Sequence, residues 1–146
     1  MIKLTEFDQP SLDEGAAALA KAIKAMGRSQ PRSDFVRNLL LCDHKQQIGS
    51  GAIYAVSDFE TGPGGRKQVA GGTGYAVQMS ATESPERPIY LYAQRQGKWF
   101  SLLEAATMEW AEMKIGPPRP SGFYTGIGAR ALVSNKPIVA LFAQEK

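Results

Sequence analysis

The chain contains the run GGTGYAVQ at residues 71–78, which places three glycines within four positions. Glycine permits positive φ angles and lets the backbone come close to a ligand. The first turn of a helix adds N–H groups without intrahelical partners, at the positive end of the helix dipole. The run therefore predicts a phosphate-binding turn formed by Gly71, Gly72, Thr73 and Gly74. The alternative is a glycine-rich turn that only joins two elements.

The elements on either side of this run predict a parallel α/β unit. Residues 52–56 form a short β-branched and aromatic run typical of a strand. A helix is expected over residues 74–83, and residues 88–93 form a continuous apolar run of the kind buried in parallel sheets. Strand, glycine turn, helix and strand in this order predict one right-handed crossover unit.

The segment between the first strand and the glycine run, residues 58–70, is polar and rich in glycine. Its composition predicts a mobile loop without stable secondary structure. Such a loop could close over a ligand, with Arg66 or Lys67 supplying positive charge. The other interpretation is an exposed flexible loop.

The rest of the chain predicts further elements from apolar spacing and from capping residues. Ser11 and Glu14 form a capping box before an alanine-rich helix that ends at Gly27. The other expected elements are a helix over residues 33–41, a hairpin through Gln96-Gly97 into a strand over 98–102, a helix over 104–113, and a tail from residue 134 that is either a helix or an edge strand.

A second glycine motif lies near the end of the chain, where a predicted strand runs into Gly126, Gly128 and Arg130. The glycines allow close approach of the backbone, and a guanidinium presents a planar fork to phosphate. Arg130 is therefore expected to bind phosphate. The alternative for Arg130 is a surface arginine at a strand end.

Length and composition predict a single domain spanning residues 1–146. The net charge of +3 gives only a weak indication of an anionic partner, and its dispersed distribution makes nucleic acid an unlikely one. Cys42 and His44 are the only residues of their types, so no metal site and no cofactor are expected. A lone cysteine suits a reducing cytoplasm, and no apolar run is long enough for a membrane span.

The ordered motifs resemble the Rossmann-like SLOG superfamily, which includes the LOG or lysine-decarboxylase-like phosphoribohydrolases and the DNA-processing-protein-A-like proteins. The signature G-G-x-G-T-x-x-E of that superfamily is similar to residues 71–78 here. A closer resemblance is to uncharacterised bacterial and phage proteins with G-G-T-G-W-A-V-Q-M, a following P-V-Y-V-F strand and a late G-I-G-x-R. These match residues 71–79, 88–92 and 126–130. The resemblance implies a single-domain Rossmann-like three-layer α/β fold with a mostly parallel sheet, and a nucleotide ligand.

Two departures from the family pattern limit what the resemblance implies. Gln78 stands where the phosphoribohydrolases have the glutamate required for cleaving the N-glycosidic bond, and an amide cannot act as a carboxylate base. The resemblance therefore implies binding without hydrolysis, with Gln78 reading ribose or base. The family's N-terminal strand and its glycine-rich turn are not expected here either, so half of the nucleotide cradle would come from the region of Arg28 to Arg37, from the motif of Gly126 to Arg130, or from a second subunit. The missing strand would also expose a sheet edge, which favours a homodimer or higher oligomer.

Several functional alternatives stay open at this level. In a phage setting, such a binder could sequester a nucleotide messenger of host defence. An N-glycosidase would need another acid, for which Asp58 and Glu60 are weak candidates after the first strand. A third hypothesis is a protein-interaction module without a ligand. Tyr75 either stacks on a base or is an ordinary core or surface tyrosine.

Overall fold

The computed structural model of the protein describes residues 9–28, 40, 44, 47, 50–65, 67–120, 124–127 and 136–143. It has a mixed α/β fold with three helices, seven strands and one 3-10 turn in the described residues. In chain order these are α1 (Gln9–Met26), β1 (Ala52–Ser57), β2 (Phe59–Thr61), the 3-10 turn (Pro63–Gly65), β3 (Lys67–Val69), α2 (Gly71–Glu83), β4 (Ile89–Ala93), β5 (Lys98–Glu104), β6 (Glu109–Glu112), β7 (Tyr124–Ile127) and α3 (Lys136–Ala143).

Five strands form one sheet in the order β6-β5-β4-β1-β7. β1 pairs in parallel with both β4 and β7, whereas β5 and β6 extend the sheet antiparallel beyond β4. The predicted strand–helix–strand unit is confirmed, because α2 connects the neighbouring parallel strands β1 and β4. The sheet is parallel around β1 and mixed as a whole.

α2 lies between the sheet and α1. Its Val77 and Ala81 belong to the apolar cluster on the sheet, whereas its Met79 packs with Leu19 and Ile23 of α1 in a second cluster. A helix that is buried on nearly all sides needs small or apolar residues all round, and the stretch Ala76–Ala81 of α2 is buried throughout. Both of these helices therefore stack on the same face of the sheet.

α1 confirms the first predicted helix and its end at Gly27, which has a φ of +70°. The helix begins at Gln9, so the prediction of Ser11 as its N-cap is wrong. Ser11 lies inside the first turn of the helix. The predicted helix over 33–41 lies outside the described residues except for Leu40, which is buried against α1. Of the two alternatives for the tail, the structure contains the helix, α3, over Lys136–Ala143.

The prediction of a mobile loop over residues 58–70 is wrong. β2 and β3 pair antiparallel with Phe59 opposite Val69, and they form a second, two-stranded sheet. The hairpin is anchored because Val69 is buried in the main core and the Phe59 ring contacts Phe100 and Trp110 edge-on, at 5.0 and 5.7 Å between ring centroids.

The predicted helix over 104–113 is also wrong. β5 turns at residues 105–108 into β6, where Trp110 pairs with Leu102. The register opens by a bulge between Leu102 and Glu104, and Met108 has a φ of +55°. Pairing with β5 and packing of Trp110 on Phe59 outweigh the helical spacing of the apolar residues. The other hairpin, through residues 94–97, is confirmed, with Gly97 at a φ of +65°.

Within the described residues, no helix combines the length and the apolar character required to traverse a lipid bilayer.

Candidate functional site

The N-terminus of α2 lies at the carboxyl end of the central strand β1. The Ser57 hydroxyl donates to the Ala70 carbonyl over 3.1 Å, and the Ala70 N–H donates to the Asp58 carbonyl over 2.8 Å. The Gln94 N–H donates to the Ser57 carbonyl over 2.9 Å, which brings the end of β4 to the same place. Ligands of open α/β sheets bind at this edge.

The glycine run forms the first turn of α2 rather than a loop ahead of it, so the expected helix start at Gly74 is wrong by three residues. Gly71 has a φ of +66°, a conformation that glycine adopts without steric cost, which explains why a glycine stands at this position. Gly71 and Gly72 are exposed, and a Cβ at either position would meet no atom within 4 Å. Ala70 caps the helix without a side-chain hydrogen bond. The first turn of α2 therefore presents exposed backbone to solvent.

Gly74 has a structural role. Its N–H donates within the helix to the Ala70 carbonyl over 3.2 Å, and a Cβ at this position would overlap the Val69 carbonyl oxygen. Thr73 is buried, at 7% exposure. Of the four residues predicted to hold phosphate, Gly71 and Gly72 are the accessible ones.

Arg28 fixes the geometry of this end of α2. Its Nη1 donates to the Gly71 carbonyl over 2.9 Å, and its Nη2 donates to the Val69 carbonyl over 2.8 Å. Its Nε donates to Gln68 Oε1 over 3.0 Å, and its Nη2 also pairs with Glu60 at 2.7 Å. The side chain is 11% exposed. Arg28 therefore brings positive charge to the helix terminus while its N–H groups bind the protein itself.

The other predicted ligand residues are distributed around this edge. The Tyr75 ring lies under the Arg28 guanidinium, with 4.8 Å between Cζ and the ring centroid, and packs against the α1 cluster. Gly126 pairs with Tyr54 of β1 and is exposed, so β7 runs beside β1 toward the same end of the sheet. Gly128 and Arg130 lie outside the described residues.

The two candidate acids make contacts within the chain. Asp58 accepts the Arg95 N–H at Oδ1 over 2.7 Å, so its carboxylate caps the turn after β4. Glu60 pairs with Arg28. The single histidine lies elsewhere: Nε2 of buried His44 lies 2.8 Å from a Glu83 oxygen at the last turn of α2. In the described part of the chain, no group of three His, Cys, Asp or Glu side chains is arranged to hold a metal ion.

Gln78 faces a cavity of about 470 Å³ beside α2. The cavity lies between the end of α1, β3, α2 and the turn from β5 to β6. Its described walls are Ala25, Met26, Lys67, Gln68, Val69, Gly74, Val77, Gln78, Ala106, Thr107, Met108 and Trp110. Gln78 is 7% exposed, and its Nε2 donates to the Thr82 hydroxyl over 3.2 Å.

Sequence reasoning missed the hairpin residues that hold this region together. Gln68 is buried, donates to the Met26 carbonyl and accepts from Arg28, so it connects α1 to the hairpin. The β-branched and aromatic residues Phe59, Thr61 and Val69 on either side of the Pro-Gly-Gly turn at residues 63–65 are the signal that could have found the hairpin.

Searches against protein-family models, curated proteins and solved structures give no match. The SLOG resemblance therefore stays a prediction from the motifs.

Proposed function

We propose that this protein binds a nucleotide or a nucleotide-derived signalling molecule, with its phosphate on the backbone N–H groups of Gly71 and Gly72. The observation that carries the proposal is the exposed first turn of α2 at the carboxyl end of β1, with no side-chain cap. Helix N-termini at this edge of an α/β sheet favour anions through oriented N–H groups and the helix dipole.

Charge around the turn supports an anionic ligand. Arg28 lies against the first turn of α2 and is mostly buried, so its charge is screened less than that of a surface arginine. Glu60 offsets part of this charge, but it is the more exposed member of the pair. The remaining acid of this edge, Asp58, is turned toward the Arg95 N–H.

The position of Gln78 fits a role in reading the rest of the ligand. It lies seven residues beyond Gly71, about 10 Å along the helix axis, in the cavity wall. An amide can donate and accept hydrogen bonds at a ribose or a base, but it cannot supply a carboxylate for N-glycosidic bond cleavage. We therefore propose binding without turnover.

Isothermal titration against adenosine and guanosine phosphates, cyclic nucleotides and ADP-ribose tests the proposal. The most informative variant is Gly72→Asp, which should fold normally. The site has room for a side chain, and an acidic residue in the first turn stabilises a helix. Repulsion of phosphate should weaken binding about tenfold or more. Gly72→Asn is the matched control of nearly equal shape and should bind within about threefold of the wild type. Binding no tighter than about millimolar, or equal loss in both variants, would contradict the proposal.

Turnover is tested separately by chromatography of nucleoside monophosphates incubated with the protein. The proposal predicts no release of free base. Release that disappears in Asp58→Asn or Glu60→Gln would establish the N-glycosidase alternative instead.

We further propose that the working form is a homodimer. In the described residues α1 leads toward β1 without a preceding strand, and β7 pairs only with β1. An edge strand of this kind offers backbone groups for pairing with a second chain. A native mass spectrum reports subunit number together with any ligand retained through purification, and a purely monomeric spectrum at micromolar protein would exclude the dimer.

A further inference from the structure

The cavity beside α2 has the dimensions and walls of a small-molecule site. Its volume of about 470 Å³ falls within the range of ligand pockets. Its mouth is flanked by the exposed turn residues Ala106 and Thr107, whereas Val69 and Val77 at its base are buried. The cavity is therefore open to solvent at one end and closed by the core at the other.

The chemistry of the walls favours a flat apolar molecule. Trp110 supplies an indole ring, and Met26 and Met108 supply thioethers, which adapt their shape and contact aromatic rings favourably. The Phe59 ring packs edge-on against Trp110, with 5.7 Å between the ring centroids. This packing holds the indole at the cavity wall, so that a planar ligand would meet a preformed surface.

Lys67 gives the cavity a positive charge. None of the described wall residues is acidic, and among the described residues Lys67 has no carboxylate partner. Its Nζ lies 4.1 Å from the centroid of the Phe59 ring and 5.6 Å from that of Phe100. Neither ring lines the cavity, so the ammonium group would turn from these rings toward an anion in the cavity, which would give it a stronger partner.

One residue of the same wall has an unusual backbone conformation. Met108 is the one non-glycine residue with a positive φ among the described residues, at +55°. This conformation is costly for a side chain of this size, and strained residues gather at ligand sites. The strained turn carries Met108 into the cavity wall, between the two exposed turn residues and Trp110.

We propose that this cavity is a binding site for an aromatic compound that carries a single anionic group, such as a carboxylate. The ring lies between Trp110 and the thioethers of Met26 and Met108, the anion pairs with Lys67, and Gln78 contributes one hydrogen bond. The site shares Gln78 with the proposed nucleotide site but does not include its phosphate-binding turn, because neither Gly71 nor Gly72 belongs to its walls.

The test uses the full-length protein with 13C-methyl-labelled methionine and two probes of equal shape, 1-naphthoate and neutral 1-naphthamide. The methyl signals of Met26 and Met108 should shift on titration, while that of Met79, which packs between α1 and α2, serves as the internal control. Naphthoate should bind about fivefold more tightly than naphthamide. Lys67→Met should remove this difference, and Lys114→Met, at an exposed lysine outside the cavity, should retain it.

A second variant tests the location. Ala106→Phe places a ring at the mouth of the cavity and should abolish binding of both probes while the Met79 signal stays unchanged. The proposal is overturned if Met26 and Met108 do not shift at millimolar probe, if the two probes bind equally well, or if octanoate binds more tightly than naphthoate. None of these outcomes depends on nucleotide binding at Gly72.

Discussion

The carbonyl oxygen of Val69 in β3 lies directly against the Cα of Gly74 in α2. A Cβ at Gly74 would overlap this oxygen and would lie 3.0 Å from Arg28 Nη2. The absence of a side chain at one residue therefore lets the hairpin close onto the first turn of the helix. That contact positions the exposed glycines that we propose as the phosphate site.

Replacing Gly74 should destabilise the protein strongly. Gly74→Ala forces the hairpin carbonyl or the helix to move, and we expect a loss of about 2–4 kcal/mol in the free energy of unfolding. Gly72→Ala is the matched control, because its Cβ enters open space and alanine favours the helix by up to about 1 kcal/mol. Urea unfolding of both variants measures the difference. Equal free energies would mean that the hairpin does not close on Gly74.

Arg28 should contribute more to stability than a surface arginine. Arg28→Lys keeps the charge but cannot reproduce the hydrogen bonds to Gln68, Val69, Gly71 and Glu60. We expect it to cost about 2–3 kcal/mol in urea unfolding.

The control for Arg28 is Arg95→Lys, since Arg95 is 84% exposed and its guanidinium lies 3.9 Å from Asp58. An exposed pair of this kind contributes about 0–1 kcal/mol, so this variant should unfold like the wild type. Similar losses for the two variants would contradict the role given to Arg28.

Ionisation of Tyr54 should lower the stability of the folded protein at alkaline pH. Burial raises the pKa of its hydroxyl above the usual range, and the neighbouring Tyr90 and Tyr124 raise it further. The unfolded chain then ionises first, so the contribution of this group to stability is present below about pH 10 and is lost as the pH rises through the folded pKa.

Tyr54→Phe separates this effect from the hydrogen bond that the hydroxyl donates to the Pro118 carbonyl over 2.7 Å. The variant should lose about 1 kcal/mol at pH 7 and should show a shallower decline of stability between pH 9.5 and 11 than the wild type. Urea midpoints across this range measure both quantities. Parallel pH profiles would mean that the phenol does not titrate differently in the folded state.

The elements that could be predicted from the sequence are those whose pattern lies within the element itself. The β-branched run of β1, the glycines at the start of α2 and the apolar run of β4 predict the crossover unit that the structure contains. The first turn of α2 lies at the carboxyl edge of β1 as expected. A helix that follows a strand and leads back to a neighbouring parallel strand has to begin near the end of the first strand.

The hairpin over residues 58–70 could not be predicted from composition because its partners are distant along the chain. Phe59 packs against Phe100, and Gln68 bonds to the carbonyl of Met26. The same holds for Arg28, whose role depends on four residues of the hairpin and the helix. Long-range partners of polar side chains leave no periodic signal in the sequence.

Phosphate binding at the first turn of α2 can be followed by amide chemical shifts in a 15N-labelled sample titrated with ADP, with adenosine as the control that lacks phosphate. We expect the amide protons of Gly71 and Gly72 to move downfield as ADP approaches saturation, whereas adenosine should leave them in place. Saturable binding of ADP that leaves both amide signals unchanged would contradict phosphate binding at this turn.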